Sequence, residues 1–272
     1  MMLFAKVFEE GPKRFLPTIF LENVIRCLVN HLSDEDRYLH RTAQRVLKLM
    51  FVTAEKDPSR AYEAIVGLTR NGAHDFDQAT KTRTISRLLC ATDGKGLKKF
   101  VTVIDGAIRT LGDLETKSSE ARRQTFANLL VSALRAGSLT KDPTDWVQRL
   151  LNTLAKYAYL DTSTGVLALQ APFSAASISM FRTRLSSCFA HLLSSHEDAT
   201  HERPFKVLCY LRKKSPEHSK ASMSEQIYRD VSTAMDKLDR LHEMVSCAPS
   251  ALARGINTFL MRFAGQIQEG KV

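Results

Sequence analysis

Apolar residues recur along this chain at the spacing of one face of an α-helix. Leu39, Ala43, Val46, Leu47, Met50 and Ala54 make the clearest of these stripes. A period near 3.6 residues commits a segment to helix, and a helix with one apolar stripe has to bury it against a neighbour. The remaining question is how many such helices there are and how they join.

Start and stop signals divide the stripes. Ser33-Asp34-Glu35-Asp36 reads as a capping box ahead of the first. Asp57-Pro58 restarts the chain, with Asp as N-cap and Pro at the first helical position, and Ala61, Ile65 and Leu68 carry that helix to Asn71-Gly72. One helix is expected over 76–91, with Ile85, Leu88 and Leu89 inward, before Asp93-Gly94 breaks it. The next covers 96–111 on Leu97, Val101, Ile104, Ile108 and Leu111. Residues 119–136 follow, with Phe126, Leu129, Leu130 and Ala133, and stop at Gly137. Asp142-Pro143 caps a helix with Trp146, Leu150, Leu154 and Tyr157 on one face. Ile178, Phe181, Leu185, Cys188 and Leu192 form another stripe. A second capping box, Ser222-Met223-Ser224-Glu225, precedes Ile227, Val231, Ala234, Leu238, Leu241 and Val245. Pro249 separates off a last helix with Leu252, Ile256, Phe259 and Phe263.

The total is about eleven helices of roughly 14–24 residues, pairing as antiparallel hairpins of roughly 40 residues, the period of HEAT and armadillo repeats. The expected fold is all-α: an armadillo/HEAT-like solenoid of antiparallel helix pairs in a single array over 1–272. A loop is expected at about 161–173 and a polar one at about 196–203. The chain begins abruptly in sequence that reads as folded, as a fragment of a longer protein would.

Apolar residues make up 44% of the chain and charged residues 25%, enough for a sizeable core. The five cysteines (Cys27, Cys90, Cys188, Cys209, Cys247) are far apart, odd in number and never in a Cys-x-x-Cys pair. That argues against a disulfide framework or a structural zinc site and suits a reducing compartment, with most of the five read as small core residues on apolar helix faces. No run is apolar enough for a membrane span, and Met1 to Glu10 lacks a signal-peptide pattern.

Little in the sequence carries catalysis. Asp75-Phe76-Asp77 has the Asp-x-Asp spacing of some metal-dependent nucleotidyl transferases, but such a site needs further rigidly placed carboxylates. Near a helix start the negative charge has a structural reason. Cys27 and His31 lie one helical turn apart with no second pair of matching spacing, and His196 and His201 sit in a polar stretch. Gly94-Lys95-Gly96 is too short for a phosphate loop, and Ser138-x-x-Lys141 has no supporting context. No catalytic residue, metal ligand or cofactor is assigned.

The formal net charge of +10 favours anionic partners. Lys95, Lys98 and Lys99 fall at one expected helix start and Arg122 and Arg123 at another. Lys206, Arg212, Lys213, Lys214 and Lys220 surround an expected loop. Positive charge at a helix N-terminus opposes the dipole at a cost of a few tenths of a kcal/mol. On one face these clusters would make a phosphate-tracking stripe; scattered, they are ordinary solvated surface.

Three stretches, in order, resemble one family. They are Arg26-Cys27-Leu28-Val29-Asn30-His31 with Asp36-Arg37-Tyr38-Leu39-His40, then Phe76-Asp77-x-x-Thr80-Lys81-Thr82-Arg83-Thr84, then Phe181-Arg182-x-Arg184-Leu185-Ser186-Ser187-Cys188. Together they resemble the DNA polymerase V / Myb-binding protein 1A family, also called the DNA polymerase phi family, and its fungal branch most. The resemblance implies an armadillo- or HEAT-like nuclear, mainly nucleolar protein tied to ribosomal RNA gene transcription and ribosome biogenesis. It implies partners that are DNA-associated or pre-ribosomal. The family's acidic stretch and basic tail are absent from this sequence, and its polymerase label has no catalytic counterpart here.

Two functional readings stand side by side. One is a nucleolar scaffold that binds rDNA chromatin or pre-ribosomal particles through Lys95, Lys98, Lys99, Arg122, Arg123, Lys206, Arg212, Lys213 and Lys214. The other is a protein-interaction module, a transcription co-regulator whose groove takes a partner's helix. A template-directed polymerase would require metal-dependent incorporation that depends on Asp75 and Asp77 together.

Overall fold

The computed structural model describes residues 2–36, 38–70, 76–111, 116–136, 145–160, 173–193 and 203–214. The regular elements among the described residues are helices, with no strand. The chain divides into two compact units: Met1–Ile108 with Ala121–Val147, and Arg109–Glu120 with Gln148–Val272.

The first unit opens with α1 (Met2–Glu10), a 3₁₀ turn (Lys13–Phe15), α2 (Leu16–Ile19) and α3 (Glu22–Leu32). It continues through α4 (His40–Lys56), α5 (Pro58–Arg70), α6 (Phe76–Thr80), α7 (Thr84–Ala91) and most of α8 (Gly94–Arg109) and α9 (Thr116–Ala136). Its centre is α4, which packs on α1, α3, α5 and α7. The expected stripe is what it buries: Ala43, Val46, Leu47, Met50 and Ala54. Ala61, Ala64, Ile65 and Leu68 of α5 face the same interior. Each fully buried large apolar side chain contributes about 1.5–3 kcal/mol. An aromatic trio closes one side: Phe20 meets Phe4 edge-on at 5.3 Å and Phe8 at 6.1 Å. Gly67 lets α5 approach this trio, since a Cβ there would lie 2.2 Å from the Phe20 ring.

Arg60 ties the ends together. From α5 its guanidinium donates to the carbonyl oxygens of Phe8 and, at 2.8 Å, Gly11. These are main-chain acceptors at the end of α1, where helix geometry supplies no donor of its own. Asp57 caps α5 as expected, its Oδ1 accepting from the Ser59 amide at 3.1 Å and the Ser59 hydroxyl at 2.7 Å. Lys13 pairs with the same carboxylate at 3.0 Å.

Three expectations are corrected in this unit. Ser33–Asp36 does not cap α4, which begins at His40 with Leu39 as an N-cap that makes no side-chain bond. Asp34 instead closes a local turn by accepting the Asp36 amide at 3.1 Å, the competing use of a short carboxylate.

The single helix expected over 76–91 is two. Residue 81 sits at φ 54. The Thr82 amide reaches back to the Asp77 carbonyl at 3.0 Å and the Lys81 amide to that of Gln78 at 3.4 Å. This is the Schellman ending, with lysine where glycine is usual. Hydroxyl bonds link Thr80 to Thr82 and Thr82 to Thr84, each at 2.8 Å, and fix the break.

The third correction concerns cysteine. Cys188 is buried as expected, but Cys27 and Cys90 are exposed, on the outward faces of α3 and α7.

On α9 the buried residues are Ala127, Leu130, Val131, Ala133 and Leu134, while Phe126 and Leu129 are half-buried.

The second unit takes most of α10 (Asp145–Tyr159), with α11 (Ala175–Leu193) and α12 (Arg203–Lys214). Leu150, Leu154 and Tyr157 of α10 are buried, as are Phe181, Leu185, Cys188 and Leu192 of α11. Tyr157, Phe173 and Phe181 form a ring cluster with centroids 5.3–5.4 Å apart. Ser174 caps α11 by accepting the Ser177 amide at 3.1 Å. Arg182 donates to the Ala158 carbonyl at 3.1 Å and lies 5.2 Å from the centroid of the Tyr159 ring. Burial pushes the Tyr159 hydroxyl up to about 12, although Arg182 pulls the other way.

Several expected features lie outside the described residues: Asn71-Gly72, Gly137, Asp142-Pro143, the loop over 161–172, the polar stretch to residue 202, the second capping box and everything after it.

Candidate nucleic-acid interface

The N-terminus of α8 is built by Asp93, whose Oδ1 accepts the Gly96 amide at 2.8 Å. Gly96 lies tight against Tyr62: a Cβ there would be 3.4 Å from the Tyr62 Cβ and 2.6 Å from Thr92. The first turn of α8 therefore meets α5 at Tyr62. This places Lys95 and Lys99, four residues apart and both exposed, along one line, with Lys98 half-buried beside them. The three expected lysines do share one helix start. They are not equally available, because the Lys99 ammonium sits 5.8 Å from the Tyr62 ring centroid. Glu63 lies near it: burial raises the Glu63 carboxyl above its ordinary value, and Lys99 draws it partway back.

Arg122 and Arg123 are in the second turn of α9, not at its start. Arg122 is half-buried and Arg123 only 2% exposed, so the Arg123 guanidinium faces the interior. Lys206 and the run 212–214 belong to α12; Lys206 is exposed, and Arg212, Lys213 and Lys214 form the last turn, where positive charge suits the dipole. The side chains of Arg212, Lys213 and Lys214 lie outside the described residues, as does Lys220.

The residues weighed as metal ligands have structural uses. Both Asp77 oxygens accept the Ile85 amide, at 3.0 and 3.1 Å, which makes Asp77 the cap of α7. Asp75 lies outside the described residues. The His31 carbonyl receives the His40 Nδ1 at 2.8 Å, and Cys27 points to solvent. Among the described residues no group of three His, Cys, Asp or Glu could hold a metal ion. No described helix is long and apolar enough to cross a membrane.

One feature escapes the sequence reading altogether. A groove of about 860 Å³ runs between the outer face of α4 and the α6–α7 turn. Lys48, Phe51, Val52 and Glu55 line one side, and Lys81, Thr82, Arg83 and Arg87 the other. Its only sequence signal is weak: the spacing of Gln44, Lys48, Phe51 or Val52, and Glu55 marks the α4 face opposite the core stripe.

The family model described as DNA polymerase phi matches residues 1–263. The chain is 30% identical over 262 residues to the rDNA transcriptional regulator pol5 of Schizosaccharomyces pombe (strain 972), covering 90% of this chain and 27% of that protein. It is 26% identical over 91 residues to the rDNA transcriptional regulator POL5 of Saccharomyces cerevisiae (strain S288c), covering 32% of this chain and 9% of that one. The chain thus spans about a quarter or less of the length of the curated relatives it matches. No solved structure matches. With nearly its whole length inside the family match, the chain belongs to the DNA polymerase phi family.

Proposed function

We propose that this chain is part of a regulator of rDNA transcription in the nucleus, acting by binding and not by catalysis. The observation that carries the reading is the 30% identity over 90% of the chain to a protein named for that role. In finer detail, it is a nucleolar, armadillo- or HEAT-like scaffold that engages rDNA chromatin or pre-ribosomal particles and so supports rRNA synthesis and ribosome biogenesis. The exposed Lys95, with Lys98 and Lys99 beside it, is the leading phosphate contact, and Lys206 with Arg212, Lys213 and Lys214 is the second. The test is anisotropy of a labelled rDNA-promoter duplex and of a structured rRNA fragment across a salt series. Binding that weakens steeply with salt, and is lost on reversing the α8 lysines, is the expected result. Absence of binding at low salt would overturn it.

The second reading, a protein-interaction module, is favoured by two particulars. Arg123 is buried, and Lys99 is partly occupied by Tyr62 and Glu63, so the first unit offers fewer open cations than its sequence does.

A further inference from the structure

We infer that the groove between α4 and the α6–α7 turn is a docking site for an acidic peptide segment of a partner protein, one that also carries an apolar anchor. The inference does not depend on the α8 lysines. Its first support is charge. Lys48, Lys81 and Arg83 line the groove, are exposed, and have no ion-pair partner among the described residues. Unpaired cations converging on one cleft are complementary to a carboxylate-bearing ligand.

The second support is the state of Arg87. Its guanidinium lies over the Phe51 ring, 4.1 Å from the centroid, which orients it across the groove. Its ion pair with Glu55 is long, at 3.9 Å, with both side chains more than half exposed. Such a pair is worth little in water, so an incoming carboxylate can replace Glu55 at small cost.

The third support selects peptide over nucleic acid. Asp34, Glu35 and Glu55 also line the groove, so its lining carries both signs; a peptide can space its carboxylates to meet the cations and miss these acids, whereas a phosphate backbone carries charge at every unit. Val52, 42% exposed, offers an apolar contact beside Phe51 that phosphates do not use. A volume of about 860 Å³ accommodates a few side chains of an extended or helical segment. The wall is rigid, because the Asp77 cap, the left-handed Lys81 and the threonine hydroxyl bonds fix the turn that presents Arg83.

The test is fluorescence polarisation on the full chain. The probes are a fluorescein-labelled peptide of roughly twelve residues alternating Glu or Asp with Leu and Ala, its counterpart with Lys for the acids, and an oligothymidine of similar length. Saturable binding of the acidic peptide is expected. The variant carrying Lys48→Glu and Arg83→Glu should weaken it at least about tenfold, and Val52→Asp should weaken it about threefold or more. Lys95→Glu with Lys98→Glu should leave it within about twofold. No saturable binding, equal binding of the basic counterpart, or an equal loss from the α8 reversals would each overturn the inference. Oligothymidine binding that is lost on Lys48→Glu with Arg83→Glu would give the groove to nucleic acid, and so overturn it too. Thermal melts accompany each variant, and Lys48→Gln with Arg83→Gln replaces any reversal that does not fold.

Discussion

Asp77 accepts the backbone N–H of Ile85 with both carboxylate oxygens, at 3.0 and 3.1 Å, so that a residue of α6 serves as the cap of α7. The break between the helices is thereby held from both sides. Asp77→Ala should cost about 1–2 kcal/mol, the usual loss of a helix cap, and Asp77→Asn less, because its amide oxygen still accepts. Lys81→Gly should do the reverse and stabilise by roughly 0.5–1 kcal/mol, since glycine adopts a φ of 54 without a Cβ penalty. Urea unfolding of the three variants checks both signs. A stabilising Asp77→Ala would mean the carboxylate has another purpose.

Gly67→Ala should destabilise by about 1–3 kcal/mol, although alanine is by itself the better helix former. The added Cβ would stand 2.2 Å from one Phe20 ring atom and 2.6 Å from the Phe20 Cβ. Phe20 is fully buried against Phe4 and Phe8 and has no room to yield. Combining Gly67→Ala with Phe20→Ala, which removes the ring atoms nearest the new Cβ, should cost less than the sum of the two single changes, as a double-mutant cycle would register.

Arg60→Ala should cost about 2–3 kcal/mol, because it strands the carbonyls of Phe8 and Gly11 at the end of α1. Arg60→Lys should recover little, since one ammonium cannot replace a fork that reaches two acceptors. Chemical denaturation gives the magnitudes.

Acid should weaken the same corner. Burial alone would raise the Asp57 carboxyl, but hydrogen bonds from Ser59 and the Lys13 charge outweigh it, so its pKa lies below the ordinary 3.8. A carboxyl held low in the folded state stabilises above that ordinary value. The contribution fades as pH falls from 3.8 through the folded value. Asp57→Asn should therefore flatten part of the loss of melting temperature below pH 4, roughly, and leave its slope at neutral pH unchanged.

Charge reversal on α8 and truncation on α9 should separate. Lys95→Glu with Lys98→Glu should lower nucleic-acid affinity and make its dependence on salt shallower by about one to two phosphate contacts, with a melting temperature unchanged or slightly raised, since negative charge suits a helix N-terminus. Arg123→Ala should act the other way round, lowering the melting temperature with little effect on the salt slope, because its side chain is only 2% exposed. A salt series and a melt on each variant are sufficient.

Much of the architecture was legible in the residues. The buried positions of α4, α5, α10 and α11 follow stripes readable as sequence, and Asp57 caps α5 as Asp-Pro announces. Periodicity and capping are local physics, settled by neighbours within a turn or two. The break at Lys81 was not legible, because the left-handed residue is a lysine and the cap that starts α7 lies eight positions back in another helix. The capping box at Ser33 misled for a related reason: Asp34 finds its donor in a turn of its own.

By itself, then, the sequence determined the helices, their inward faces and the excess of positive charge. Tertiary structure alone decided which charges remain at the surface: it turned Arg123 inward, laid Lys99 near Tyr62 and Glu63, and brought Lys48, Lys81 and Arg83 to one groove. A charge's availability depends on what packs around it from distant parts of the chain, and no spacing along the sequence encodes that.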